Sequence, residues 1–164
     1  MRVWGRHAVP VDYGAHARAA AVTAVYRAPL RSRSDDVPFD LTFDRALRLG
    51  LCGFGRFGDA ERLARRVARF ADVPDGSFVW ARDPDGLYRL GRIDGPYGYD
   101  ADGEDVDLVH VRPCRWLDTA FSESRCPAAV VATFGRGGRN FQQIHDERVG
   151  EESTRIWNTS PTGR

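Results

Sequence analysis

The amino-acid sequence predicts an α+β protein, a tight β-meander with helices packed on it. Two observations carry that expectation. The first is the stretch Gly76–Leu117, where runs of strand formers alternate with turn signals. The second is Asp59–Phe70, where Leu63, Val67 and Phe70 recur at helical spacing behind Asp59, a natural helix cap.

Within the meander, Ser77–Arg82 is a short run of strand formers. Asp83-Pro84-Asp85-Gly86 is a turn signal, with proline pre-setting φ and glycine free to take a positive φ. Leu87–Asp94 alternates: Leu87, Arg89, Gly91 and Ile93 fall on one face, and Tyr88, Leu90, Arg92 and Asp94 on the other. These pieces predict a β-hairpin. A Gly-Pro-Tyr-Gly-Tyr-Asp corner, an acidic loop at Asp102–Asp107 and a third strand at Asp107–Arg112 follow.

Before the meander, Met1–Ala15 is too interrupted for a long helix, and Ala15–Arg27 suits either a helix or a strand. Arg31–Val37 reads as a solvated loop. Thr42–Leu51 reads as a helix capped by Asp40 or Thr42, with Phe43, Ala46, Leu47 and Leu51 near one face. Gly50, Gly53, Gly55 and Gly58 then mark a turn. They do not make a dinucleotide fingerprint, because they follow a helix and no βαβ unit surrounds them. On the next helix, Ala60, Ala64 and Ala68 are expected to widen the buried side. Arg62, Arg65, Arg66 and Arg69 form a basic face, either solvated or laid along a phosphate backbone.

After the meander, Ala128–Phe134 suits a short helix behind Pro127 or a strand. Gly135–Asn140 is a basic, glycine-rich loop, and Phe141–Ile144 a strand or short helix. Gly150–Arg164 is polar and expected to fray, with Ile156 and Trp157 as possible anchors. The expected organisation is a mixed N-terminal extension over 1–72, a β module over 73–150 and a polar tail over 151–164.

Composition narrows the function. The chain has 164 residues, 42% hydrophobic and 29% charged, the make-up of an ordinary globular protein. A net charge of +1 argues against a bulk nucleic-acid coat but not against a local basic groove. Every one of its basic Lys/Arg side chains is arginine. That suits bidentate contacts to phosphates and base edges and removes lysine-dependent chemistry. Cys52, Cys114 and Cys126 are too few and too irregular for a zinc site or disulfide framework. An odd count, no signal-peptide pattern and no apolar run of membrane-spanning length predict a cytoplasmic protein without a membrane partner. No cofactor or metal site is expected.

The meander interleaves aromatic rings with arginines. Such rings can be plain core in a small β-barrel, or walls of a pocket that stacks a flat base and grips its phosphates. Composition leaves both open.

The residues Gly86, Tyr88, Gly91, Arg92 and Ile93, the corner Gly95, Tyr97 and Tyr99, and the run His110, Arg112, Pro113, Cys114 and Trp116 form a recognisable series. It resembles the PUA-like (EVE-like) modules at the N-terminus of McrB-type and Mrr-type modification-dependent restriction proteins. Cys114 stands where that pattern has valine. The resemblance spans about Val73 to Ile144, under half the chain. It implies a PUA-like (EVE-like) small β-barrel with flanking helices that reads a modified, methylated base by flipping it into an aromatic pocket. The partner so implied is nucleic acid, expected to be modified double-stranded DNA, with any cutting activity on a nuclease subunit in trans.

Extracting a base costs a few kcal/mol. Stacking returns roughly 1–3 kcal/mol per base, and a buried methyl about 0.8 kcal/mol. The expected walls are Trp80, Tyr97, Tyr99, Trp116 and Phe134. Ser77, Asp94 and Asn140 are the expected base-edge partners. Arg82, Arg92, Arg112, Arg136 and Arg139 are the expected phosphate contacts.

No catalytic residue is assigned. His7, His16, His110 and His145 are scattered, and the Asp…Glu-x-Lys pattern of restriction nucleases is impossible without lysine. Two alternatives stand beside the reader: a small PUA-like hydrolase or ribonuclease acting on nucleoside or RNA, and a protein-interaction module without a base pocket.

Overall fold

The computed structural model describes residues 23–161. The expectation for Met1–Ala15, and for all but the end of Ala15–Arg27, lies outside the described residues. The strands are β1 (Val25–Arg27), β2 (Leu51–Phe54), β3 (Phe78–Arg82), β4 (Tyr88–Ile93), β5 (Gly98–Tyr99), β6 (His110–Trp116) and β7 (Gln142–Gln143). The helices are α1 (Phe39–Leu49), α2 (Ala60–Ala71), α3 (Ala128–Gly135) and α4 (Val149–Thr159), with short 3₁₀ turns at Ala101–Val106 and Glu123–Arg125. The fold is mixed α+β, a sheet curled into a half-barrel with flanking helices.

The strand order is β2-β6-β4-β3-β1-β7, and β5 also pairs with β6. Strand β6 makes the curl. Its first half pairs with β2 on one edge and β5 on the other, while its second half pairs with β4. The β3–β4 hairpin closes at Arg82 opposite Tyr88. Its turn is pinned by Asp83, whose Oδ1 accepts the backbone N–H of Asp85 at 3.0 Å and of Leu87 at 2.9 Å. Strand β1 runs parallel to β3, and β7 is antiparallel to β1.

Both faces of the sheet are covered, which is why β3 reads as the unbroken apolar run Phe78-Val79-Trp80-Ala81. Val79, Ala81, Ile93 and Cys114 face the inside of the curl with Phe43 of α1 and Phe70 of α2. Phe78, Trp80, Tyr88 and Leu90 face outward and are covered by Val130 of α3 and Trp157 of α4. The two-face pattern expected for Leu87–Asp94 matches this division.

Several expectations are corrected. Two of the seven strands, β1 and β2, come from the segment expected to lie outside the β module. Leu51–Phe54, expected to be helix end and turn, is strand β2. Gly50 stops α1 in the left-handed region (φ 64°), and Gly53 lets β2 close on β6, because a Cβ there would overlap the His110 carbonyl. Neither Asp40 nor Thr42 caps α1. Pro38 starts it, and the Thr42 hydroxyl donates to the Val106 carbonyl at 2.8 Å. Asp59 does cap α2, accepting from Arg62 N at 2.9 Å. Ala60, Ala64 and Ala68 are exposed, since α2 sits at the edge of the curl and only Phe70 is fully buried. The tail expected to fray is helix α4 through Thr159, held by Trp157 in the outer core.

Candidate functional site

Between the two edges of the curled sheet lies an open hollow of about 1070 Å³. Its floor is aromatic. Tyr26 of β1 stacks on Phe141, with centroids 5.0 Å apart and planes 14° apart. Phe70 stands edge-on to Phe141 at 5.0 Å and leans on Phe54 of β2 at 5.1 Å. Phe70 is buried, while Tyr26, Phe54 and Phe141 keep part of their surface open. The floor thus draws on four places distant in sequence.

The rim is cationic. Seven arginines and three aspartates line the hollow. Helix α2 supplies Arg62, Arg65, Arg66 and Arg69. The segment before α1 supplies Arg31 and Arg33, and the loop before β7 supplies Arg139. Arg62, Arg65 and Arg139 pair with Asp59, Glu61 and Asp35, carboxylates that are more than half exposed and therefore bind them weakly. Arg31, Arg33, Arg66 and Arg69 have no carboxylate within 4.0 Å among the described residues. Burial lowers the Arg66 pKa, and the like charge of Arg33 lowers it further, with Asp59 opposing. An anion placed here would relieve that repulsion.

The segment carrying Arg31 and Arg33 is held at Ser32, which is buried. The Ser32 hydroxyl donates to Asp107 Oδ2 at 2.5 Å, and the Ser32 carbonyl accepts from Arg139 Nη1 at 2.9 Å. Asp107 Oδ1 in turn accepts the backbone N–H of Arg56 at 3.0 Å. Asp107 thus ties the Arg31–Arg33 segment to the start of the β2–α2 connection and leaves a negative charge at the edge of the basic rim.

Behind Phe54 lies His110, its ring centroid 5.6 Å away. His110 is 8% exposed, and its Nδ1 is 2.8 Å from the Tyr97 hydroxyl. Its Nε2 has no partner among the described residues. Burial, then Arg56 and Arg66, hold its pKa below the usual value, so the ring is neutral near pH 7.

Of the residues expected to form the site, only Asn140 and Arg139 line the hollow. Trp80 is fully buried in the outer core, its indole N–H donating to Ser153 Oγ at 3.0 Å. Phe134 packs edge-on to Tyr88 at 5.6 Å in the same cluster. Trp116 is half-buried, with its N–H on the Leu51 carbonyl at 3.0 Å. Tyr97 faces His110, and Tyr99 is 47% exposed beside Glu104 and Arg56. Ser77 is buried on the Pro74 carbonyl, and Asp94 pairs with Arg115.

Arg112, expected on phosphate, is buried. Its guanidinium donates to the carbonyls of Gly95, Phe70 and Val73 and to Asp75, so it closes the C-terminal end of α2. Arg92 donates to the Gly76 carbonyl and lies over Phe78 and Trp157. Arg82 lies over Tyr88. Arg136 is exposed at the end of α3, near the buried Arg27. These aromatics and arginines alternate along strands whose two faces are both covered, so most of them meet protein.

The floor residues Tyr26, Phe54, Phe70 and Phe141 escaped sequence reasoning because no motif or periodicity links them. The α2 arginines were visible as a basic face. Among the described residues, no cluster of three His, Cys, Asp or Glu is placed to hold a metal ion, and no helix is long and apolar enough to cross a membrane. No protein-family model matches this chain and no curated protein is significantly similar to it, so its function has to be read from the hollow itself.

Proposed function

We propose that this protein binds DNA and reads a modified, methylated base turned out of the duplex into the hollow, as the sensor of a restriction or defence system. Cleavage would belong to a partner chain. The observation that carries this reading is the aromatic floor lying under arginines that lack carboxylate partners. A flat base gains by stacking on Tyr26, Phe54 or Phe141. The phosphates on either side gain from Arg31, Arg33, Arg66 and Arg69, whose charges no carboxylate among the described residues pairs. The likeness of the meander to PUA-like (EVE-like) base readers supports the same reading, with the pocket on the inside of the curl instead of at Trp80 and Trp116.

Titration against duplexes carrying methylated adenine, methylated cytosine or no modification, over a salt series, tests it. One methyl buried on the floor is worth about 0.8 kcal/mol, roughly fourfold in affinity. Phe141→Ala should erase that preference. Arg66→Ala should weaken plain and modified duplex alike and reduce the salt slope by about one. Equal affinity for all duplexes, or none for any, refutes the reading. A hydrolase is the second reading, but its candidate base, His110 hydrogen-bonded to Tyr97, is buried behind Phe54 and does not line the hollow, so a substrate would have to displace Phe54 to reach it. RNA or nucleoside turnover that His110→Gln abolishes would select it.

A further inference from the structure

The hollow is larger than one base needs. Pockets that hold a whole small ligand run from about 300 to 1,000 Å³, and this one is about 1070 Å³. At its mouth stands Phe57, 47% exposed in the short connection between β2 and α2. Two rim arginines converge on it. The Arg33 guanidinium lies over its ring at 4.9 Å, and Arg66 Nη2 donates to its backbone carbonyl. Arg66 also lies over Phe54 of the floor at 5.8 Å, so one guanidinium joins the Phe57 backbone to the floor. Neither arginine has a carboxylate within 4.0 Å among the described residues, and the two are close enough to perturb one another.

An exposed aromatic ring, a partly open aromatic floor and two uncompensated cations between them match the chemistry of a dinucleotide step: base, phosphate, base. We propose that the hollow takes two consecutive nucleotides, one base on the floor of Tyr26, Phe54 and Phe141, its neighbour stacked at Phe57, and the phosphate joining them held between Arg33 and Arg66. This rests on the nucleic-acid reading above and narrows it to a ligand at least two nucleotides long. The Phe57 subsite reads no methyl. It accepts any base by its π-face, and Arg33 gives the stack a cation beneath the ring.

The test compares 5′-phosphorylated deoxymononucleotides of thymine, methylated adenine and methylated cytosine with the corresponding dinucleotides. A third set consists of dinucleotides in which either base is replaced by hydrogen. Calorimetry or anisotropy competition on the full chain gives the affinities. The dinucleotides should bind about 5- to 150-fold more tightly than the mononucleotides, the worth of one base–aromatic stack. Removing one of the two bases should return the affinity to that of the mononucleotide.

Phe57→Ala should bring dinucleotides down to the mononucleotide level while leaving mononucleotides unchanged, and Phe57→Trp should retain the difference. Arg33→Ala should weaken dinucleotides more than the base-only nucleosides. Phe57 is exposed, so its variants fold as the parent does. Dinucleotides no tighter than mononucleotides, including no binding by either at millimolar concentration, overturns the two-nucleotide site. A modified duplex titrated against the same samples distinguishes that failure from loss of the base-reading function: if it still binds with a modification preference, only the second subsite is wrong.

Discussion

Arg112 offers the sharpest separation between a residue that touches ligand and one that holds the fold. Its guanidinium is 4% exposed and donates to three backbone carbonyls, of Gly95, Phe70 and Val73. Its one carboxylate partner, Asp75, is 68% exposed. Arg112→Met keeps much of the aliphatic volume and removes every donor. The Phe70 carbonyl keeps the Val73 N–H at 3.3 Å, and each carbonyl left without a partner, at Gly95 and Val73, costs roughly 1–3 kcal/mol. Against this, the variant no longer buries a cation, and the desolvation it avoids is itself several kcal/mol. Water entering from the Asp75 side reduces the loss further. The net expectation is destabilisation of about 2–4 kcal/mol, with Phe70 and the end of α2 loosened.

Urea denaturation followed by tryptophan fluorescence measures it, with Asp75→Ala as the control. That surface pair should contribute under about 1 kcal/mol. A lower midpoint at unchanged slope, together with parent-like affinity in the duplex titration proposed above where the variant is folded, fits the arrangement described. Stability within about 0.5 kcal/mol of the parent, coupled to lost affinity and a shallower salt dependence, would refute it and return Arg112 to the phosphate role its sequence context suggested.

Trp80→Ala should destabilise by about 3–5 kcal/mol, and Trp80→Phe by about 1 kcal/mol for the lost bond to Ser153. Neither should change discrimination between modified and plain duplex at temperatures where the variant is folded; a selective loss of discrimination would place Trp80 in the site. His110 is held below its ordinary pKa in the folded chain, so the unfolded chain binds the proton first. Its contribution is therefore complete above pH of about 6.5 and is lost as pH falls from there towards the folded value. His110→Gln should flatten stability against pH in that window by up to about 1.4 kcal/mol per pH unit; an unchanged slope contradicts the burial argument. Burial pushes the thiols of Cys52 and Cys126 up to about 12, and that of Cys114 well above its ordinary value. Ellman's reagent at pH 8 should react slowly with the native protein and with all three thiols after denaturation; a fast native phase would show a thiolate that this environment does not favour.

The hairpin Phe78–Ile93 was legible because its turn chemistry and its alternation agree on one register. The same holds for α2, where cap, stripe and basic face coincide. Strand β2 was not legible: Leu51-Cys52-Gly53-Phe54 looks like a glycine-rich turn until the close approach to His110 explains Gly53. Helix α4 was hidden by its polar composition, since two residues, Val149 and Trp157, supply most of its hold on the outer core. The aromatics of the meander were rightly singled out as unusual. Their environment could not be read, because a strand buried on both faces and a strand lining a pocket place the same residues at the same spacing. The floor is assembled from β1, β2, α2 and the approach to β7, and such a convergence has no local signature.

Among the described residues, strand β7 pairs with β1 alone and spans two residues. Yet Gln142 and Gln143, with Phe141 just before them, form one side of the chamber. A two-residue strand paired along one edge opens at a cost below the free energy of global unfolding. The entrance therefore behaves as a door hung on a single edge: amide exchange at Gln142 and Ile144 should outpace that of β3 and β4, and a tightly seated guest should slow it.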